Sequence, residues 1–367
     1  MKKDINAVYA MHSLTGLASS IIGIFIPAYL VSLGYMPANV FLYYLVNAIS
    51  VFVFFFGAAI LAGKIGIRIL VIASFPFTLG YIALLYMLHT VPLLSLSLIA
   101  SVQGAGVGLY WFALHSFFAT NTEATTIGTN VGKLFGFPQI AGLFGPLIGG
   151  AIAFHFGFPA LFVLGGCIFL ISSVPLLWLP ELKIKSHLNF STFISLFQQF
   201  RRYTLVEFFE NIREELEGVV WPLFIFLVFR DALSVGYVAT LAAVGSIIFT
   251  LLVGRYTDRL NPKIFMRVGA VLMIGIWLAR FALPNMPTLL YVSTILAGLF
   301  ASFIVVPFTS YVYDSAKRTR IVEFMVYREI PVTLARIAIY SVALLIALNV
   351  TNLFLIGAAA SAFILLF

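Results

Sequence analysis

The chain has 367 residues, of which 9% are charged and 62% hydrophobic, and its mean hydropathy is +1.10. An ordinary soluble domain is about 25% charged, and no globule can hide that much apolar surface from water. A soluble enzyme, a secreted domain and a disordered chain are excluded, which leaves a polytopic membrane protein. The apolar runs are long and unbroken, unlike the alternating segments of a porin-type barrel, so an all-α membrane fold is expected. The net charge of +8 is spread between apolar runs and forms no soluble basic patch, so no nucleic-acid partner is expected. The single cysteine, Cys167, excludes an internal disulfide and a cysteine-based metal cluster. It is expected as a small buried hydrophobe.

Taken in chain order, twelve spans are predicted: Ala7–Leu33, Asn39–Ala62, Ile67–Leu88, Leu93–Ala119, Val131–Phe154, Pro159–Leu179, Thr204–Phe229, Leu233–Gly254, Ile264–Leu283, Thr288–Tyr313, Phe324–Leu348 and Thr351–Phe367. Nearly all reach the roughly 20 residues that a bilayer core requires. The run after Lys2 and Lys3 is longer than a signal-peptide core of about 7–15 residues, so it is expected to remain as the first span. Of the 21 Lys and Arg residues, all but Arg213, Arg230, Arg280 and Arg336 are placed in segments on one side, Arg328 among them. By the positive-inside rule that side is the cytoplasm, with both termini there and the plasma membrane as the expected location.

The longest polar connection falls after the sixth span. It divides the chain into an N-terminal six-helix bundle (1–180), a cytoplasmic loop (181–203) and a C-terminal six-helix bundle (204–367). The halves echo one another, with a short basic turn after the second span (Gly63, Lys64, Gly66, Arg68) and another after the eighth (Gly254 to Lys263). Two matching six-span halves are the mark of a repeat-built secondary transporter.

The turn after the eighth span carries Gly254, Asp258, Arg259 and Lys263. Gly254 lets helix ends approach, Asp258 can cap the next helix, and Arg259 can bind carbonyls or acids nearby. This pattern resembles the cytoplasmic-loop signature of the major facilitator superfamily. The fifth span carries Gly145, Pro146, Gly149 and Gly150, a small-residue face with a bend. It resembles the antiporter motif of the twelve-span drug:proton antiporters of that superfamily, and that resemblance implies a gate between the halves. The fourth span has Gln103, Gly104 and Gly106 in a pattern similar to those antiporters, with Ala100 where they carry an arginine linked to proton coupling. The resemblance implies the major facilitator fold, two pseudo-symmetric bundles working by alternating access.

The seventh span is the unusual one. It holds Glu207, Glu210, Arg213, Glu214, Glu215 and Glu217. The uncharged run Gly218–Phe229 covers about 18 Å at helical rise, short of a core of about 30 Å. The span must therefore reach back toward Arg202, which places the acids in the membrane. Each charge there costs about 2.5–3.5 kcal/mol on insertion scales, so they must face the protein interior. At 100° per residue, Glu207, Glu210, Glu214 and Glu217 fall within an arc of about 80°, with Arg213 at its edge. Glu210 and Glu217 are spaced to pair with Arg213, while Glu215 points away, toward Arg336 or Arg280. The arc holds more acid than base, and it is the expected proton-coupling site.

The resemblance implies that spans 1, 4, 7 and 10 line a central cavity. They offer His12, Gln103, Tyr110, Trp111, His115 and Tyr311 to a substrate. Trp111 and Tyr110 suit an organic cation. No ligand spacing singles out a metal site among the histidines and glutamates, and no cofactor is expected. There is no His-Glu-x-x-His motif or phosphate-cradling loop, so an enzyme is not expected. The expected function is a monomeric, proton-coupled secondary transporter exporting a small cationic or amphiphilic molecule. The alternatives are a sugar or metabolite importer using proton symport, or a non-transporting membrane protein.

Overall fold

A bilayer offers no water to satisfy backbone N–H and C=O groups, so apolar runs of this length fold as helices that pair those groups internally. The computed structural model describes residues 2–91, 94–121, 127–178, 181, 183, 189–257 and 262–367, and every regular element among them is helical. In the first half, α1 (Lys2–Ile22) passes through a 3₁₀ turn into α2 (Ile26–Ser32). Then come α3 (Pro37–Ile65), α4 (Ile67–Leu88), α5 (Leu96–Asn121), α6 (Ile127–Ala141) and α7 (Gly145–Ser172). The second half contains α8 (Phe190–Glu215), a π-helical turn (Leu216–Val220), α9 (Trp221–Phe229) and α10 (Ala232–Thr257). It closes with α11 (Pro262–Ala282), α12 (Pro287–Arg318), α13 (Ile321–Leu345) and α14 (Leu353–Phe363).

The helix α7 is two crossings in one. Gly157 breaks it with φ 81° and ψ 166°, a left-handed backbone that glycine adopts without strain. Gly149 and Gly165 pack against the adjacent α1 residues Ile21 and Ile22, and Gly149 also faces Leu161. The chain has therefore turned back between them. Seven helical stretches are long and apolar enough to span a bilayer, and one of these, Lys133–Leu176, is this hairpin. The apolar α10 and the final segment Val350–Leu366 add two crossings. The remaining two, α8–α9 and α13, carry the interior charges. The total is the twelve expected from sequence.

Small residues set the packing, and they set it twice. On α5, Gly104 and Gly108 lie against the α3 backbone at Asn47 and Val51. On α12, Gly298 lies against the α10 backbone at Ala242. Spans 2 and 4 thus meet as spans 8 and 10 do, which is the pseudo-symmetry of the halves. Such approaches replace the hydrophobic drive that lipid removes.

Three expectations change. Within the connection 181–203, residues 190 onward are helical, joined to the seventh crossing at a kink at Phe200. Arg328 lies inside α13 and not in a basic turn. Cys167 is exposed on the outer, apolar surface of α7 beside Val163 and Leu170. In a membrane, that surface faces acyl chains, so the residue is apolar in its surroundings but not in the core.

Asn285 and Asn349 are exposed in the turns opposite the basic end. With Cys167→Ala as background, Asn285→Cys or Asn349→Cys is expected to react with an impermeant maleimide added to intact cells. Reaction only after permeabilisation would contradict the orientation.

Candidate functional site

Glu207 and Glu210 of α8 are buried because the helix must cross, and three acids of α8 are held according to the face each presents. Glu210 receives two hydrogen bonds from Arg213, at 2.8 Å and 2.5 Å. Glu207 lies 2.9 Å from the Arg328 Nε of α13 and accepts from Asn211 at 3.4 Å. Glu215 accepts from the Arg336 Nε of α13 at 2.7 Å and also from the Tyr340 hydroxyl. Arg336 reaches a second acid, Glu329, at 3.8 Å.

Two residues on each helix thus match in register. Glu207 and Glu215 are eight apart, as are Arg328 and Arg336, about 12 Å at helical rise. The matched order means that α8 and α13 run parallel, as the seventh and eleventh crossings of one topology must. This repeat was visible in the sequence and is the signal that could have assigned Arg328 to the site.

Glu217 does not pair with Arg213. It lies at the start of the π turn Leu216–Val220. Its partner is Arg280 of α11, 2.7 Å away. Arg280 is fully buried, with its guanidinium 3.7 Å from the Trp221 ring centre and 4.8 Å from that of Trp277. It also donates to the Ser293 hydroxyl at 3.2 Å. Neither tryptophan was expected in the site.

Glu214 remains. Among the described residues it makes no hydrogen bond or ion pair, and it is exposed although the helix around it is largely buried. One turn on, Gly218 is also exposed, with open space where a Cβ would stand. Phe209, on the opposite side of α8, stacks on Phe363 of α14 at 3.8 Å. Glu214 and Gly218 therefore face away from α14, toward the space between the halves.

The first half presents an aromatic and imidazole string. His12 Nδ1 lies 2.7 Å from the Tyr110 hydroxyl, and its ring meets Trp111 edge-on. Trp111 stacks on His115 at 5.1 Å. His115 Nδ1 lies 2.8 Å from the hydroxyl of Tyr313 on α12. The string therefore crosses from one half to the other. Two expected cavity residues are placed elsewhere. Gln103 accepts from Tyr43 at 2.8 Å and Asn47 at 3.0 Å, tying α5 to α3. Tyr311 packs on Tyr203 and Phe367, and Tyr313, two residues on, meets His115 instead.

At the end opposite the basic turns, the halves meet at several places, α3 with α13 and α7 with α10 among them. Tyr44 of α3 stacks on Tyr340 of α13 at 5.5 Å. The face of α7 divides its contacts: Gly145 and Gly149 pack on α1, while Pro146 and Gly150 pack on α10. A Cβ on Gly150 would stand 2.9 Å from the Ala232 carbonyl and 3.2 Å from Gly236 Cα. Gly236→Leu is expected to disfavour closure at this crossing by about 2 kcal/mol, since overpacking costs ~1–3 kcal/mol. Distance measurements between spin labels at this end should then show the separated state enriched. An unchanged distribution would remove the crossing as a gate. Asp258 and Arg259 of the basic-turn motif lie outside the described residues, and Gly254 falls in the last turns of α10.

The Major Facilitator Superfamily model matches residues 216–367. Solved transporters superpose over nearly the whole chain. A bacterial homologue of the iron transporter ferroportin, in its inward-facing state, aligns with a TM-score of 0.72 and 15% identity over 99% of this chain and 97% of its own. A nucleoside transporter, NupG, aligns with a TM-score of 0.71 and 15% identity over 99% of both chains. The Escherichia coli fucose:proton symporter FucP aligns at 0.70 and 13%, over 98% of this chain and 96% of its own. The fold is the major facilitator fold. Among curated proteins, an uncharacterized Bacillus subtilis protein, YqgE, is 24% identical over 255 residues. That match covers 66% of this chain and 59% of the length of YqgE. The chain is thus a multi-pass membrane protein with the architecture of a transporter.

Proposed function

We propose that the chain is a major facilitator transporter that couples proton movement to alternating access, and that it exports a small cationic or amphiphilic molecule across the plasma membrane. The observation that carries this reading is Glu214, an exposed and unpaired carboxyl on a helix whose other acids are each held by arginine. A carboxyl inside the membrane that is free of a fixed partner can trade a proton for a cation. The surrounding field favours a positive ligand, because Glu207, Glu210, Glu214, Glu215, Glu217 and Glu329 outnumber Arg213, Arg280, Arg328 and Arg336. Trp111 and Tyr110 add aromatic faces suited to a cation. Gly150 with Gly236, and Tyr44 with Tyr340, supply closure at one end, while His115 with Tyr313 bridges the halves nearer the basic end.

The test is purified protein in proteoliposomes with an imposed pH gradient, given a panel of organic cations, sugars and nucleosides. Substrate flux and internal pH are read together. Cation movement against proton movement is the expected result. Sugar or nucleoside movement with protons would instead favour the symport reading, as the fold likeness to FucP and NupG allows. Flux indifferent to the pH gradient would overturn proton coupling.

A further inference from the structure

The helix α8 begins with a segment that the seventh crossing does not need. Residues 190–200 precede the kink at Phe200, where φ is −113° and ψ 24°. At 100° per residue, Ile194 and Phe197 lie about 60° apart on the part of the helix before the kink. Both are uncovered by protein, with Ile194 45% exposed and Phe197 54%. Leu205 belongs to the crossing itself and lies on the side of α8 away from Glu207 and Glu214, so it faces lipid.

The other side of the segment faces the protein. Leu196 is buried. With Thr192 and Ser195 it lines a groove of about 480 Å³ shared with Arg318, Thr319 and Arg320 at the turn between α12 and α13. One face of the segment thus turns to protein, while the open face carries Ile194 and Phe197 bordered by the polar Ser191 and Gln198, with Arg201 and Arg202 exposed just beyond the kink. A solvated loop has no use for two large uncovered apolar side chains, which lose their burial in water.

We propose that the segment 190–200 is an interfacial anchor, in which Ile194 and Phe197 enter the leaflet at the basic end while Arg201 and Arg202 bind anionic phospholipid headgroups. Stable anchoring at a membrane surface takes apolar burial together with a basic patch, and the segment provides both. The long arginine stems lie along the apolar surface with their charges at headgroup level. The segment also forms the end of the connection between the halves, so the anchor ties that connection to the plane of the membrane.

A nitroxide on Phe197→Cys, in a Cys167→Ala background, reads the depth of the open face in the full chain reconstituted in nanodiscs. In discs containing phosphatidylglycerol, the label is expected to collide more with oxygen than with a water-soluble nickel chelate. A label on Thr192→Cys, on the groove side, should show the reverse. Titrating phosphatidylglycerol into phosphatidylcholine discs should draw the label deeper. Arg201→Gln with Arg202→Gln should weaken that response by roughly fivefold per arginine. Should Phe197→Cys aggregate, Ile194→Cys gives the same reading. A water-accessible label in both lipids would overturn the anchor, and a depth indifferent to phosphatidylglycerol and to both arginines would overturn the anionic-lipid assignment. Neither outcome bears on whether the protein transports.

Discussion

Glu214→Gln is expected to reduce pH-driven flux to the level of protein-free vesicles while leaving substrate exchange at equal pH largely intact. The amide resembles a carboxyl that cannot release its proton. Exchange at equal pH needs the binding site and the conformational change, but no net proton movement. The structure predicts that Glu214 is singular in this respect. Glu210, Glu215 and Glu217 each hold an arginine at hydrogen-bond distance, and Glu207 sits 2.9 Å from Arg328. Neutralising a paired acid leaves a buried guanidinium without its counter-charge, which is a stability fault. Glu210→Gln and Glu217→Gln should therefore lower the melting temperature in detergent, whereas Glu214→Gln should not. If Glu214→Gln retains wild-type pH-driven flux, the coupling assignment fails.

Arg280→Ala is expected to be the most destabilising single change in the second half. Arg280 is completely buried. It is bonded to Glu217 at 2.7 Å and flanked by Trp221 and Trp277. Removing one partner of a buried pair costs about 3–5 kcal/mol, because the other charge is left unpaired. Loss of a desolvated cation–π contact adds ~2 kcal/mol. Arg280→Lys should recover little, since an ammonium cannot stack as the planar guanidinium does. Arg280→Met combined with Glu217→Gln should recover much of the loss, because no charge then remains unpaired. Folded yield and melting temperature measure all three variants. A wild-type melting temperature for Arg280→Ala would show that the pair is not structural.

The sequence by itself determined the solvent and the architecture. Apolar content and run length require a membrane, since water tolerates neither, and the positions of Lys and Arg mark which ends of the spans lie together. It also determined that α8 carries a charged face turned inward, because charges at that depth cannot face lipid. The Gly145–Gly150 stretch was legible as a packing face, since small residues in a membrane helix have few other uses.

What the sequence could not decide was which groups meet, because that depends on helices distant in the chain. An arc drawn on one helix assigned Glu217 to Arg213, but Arg280 of α11 holds it instead, and nothing on the seventh span itself announced that partner. The same arc treated four acids as equivalent, whereas α13 supplies Arg328 and Arg336 to Glu207 and Glu215 and leaves Glu214 open. Tyr311 and Tyr313 are near-equal candidates by residue type, yet the packing of α12 against α5 turned only Tyr313 to His115. Helical period fixes a side chain's direction relative to its own axis, whereas pairing depends on where the neighbouring axes lie, and only the tertiary structure sets that.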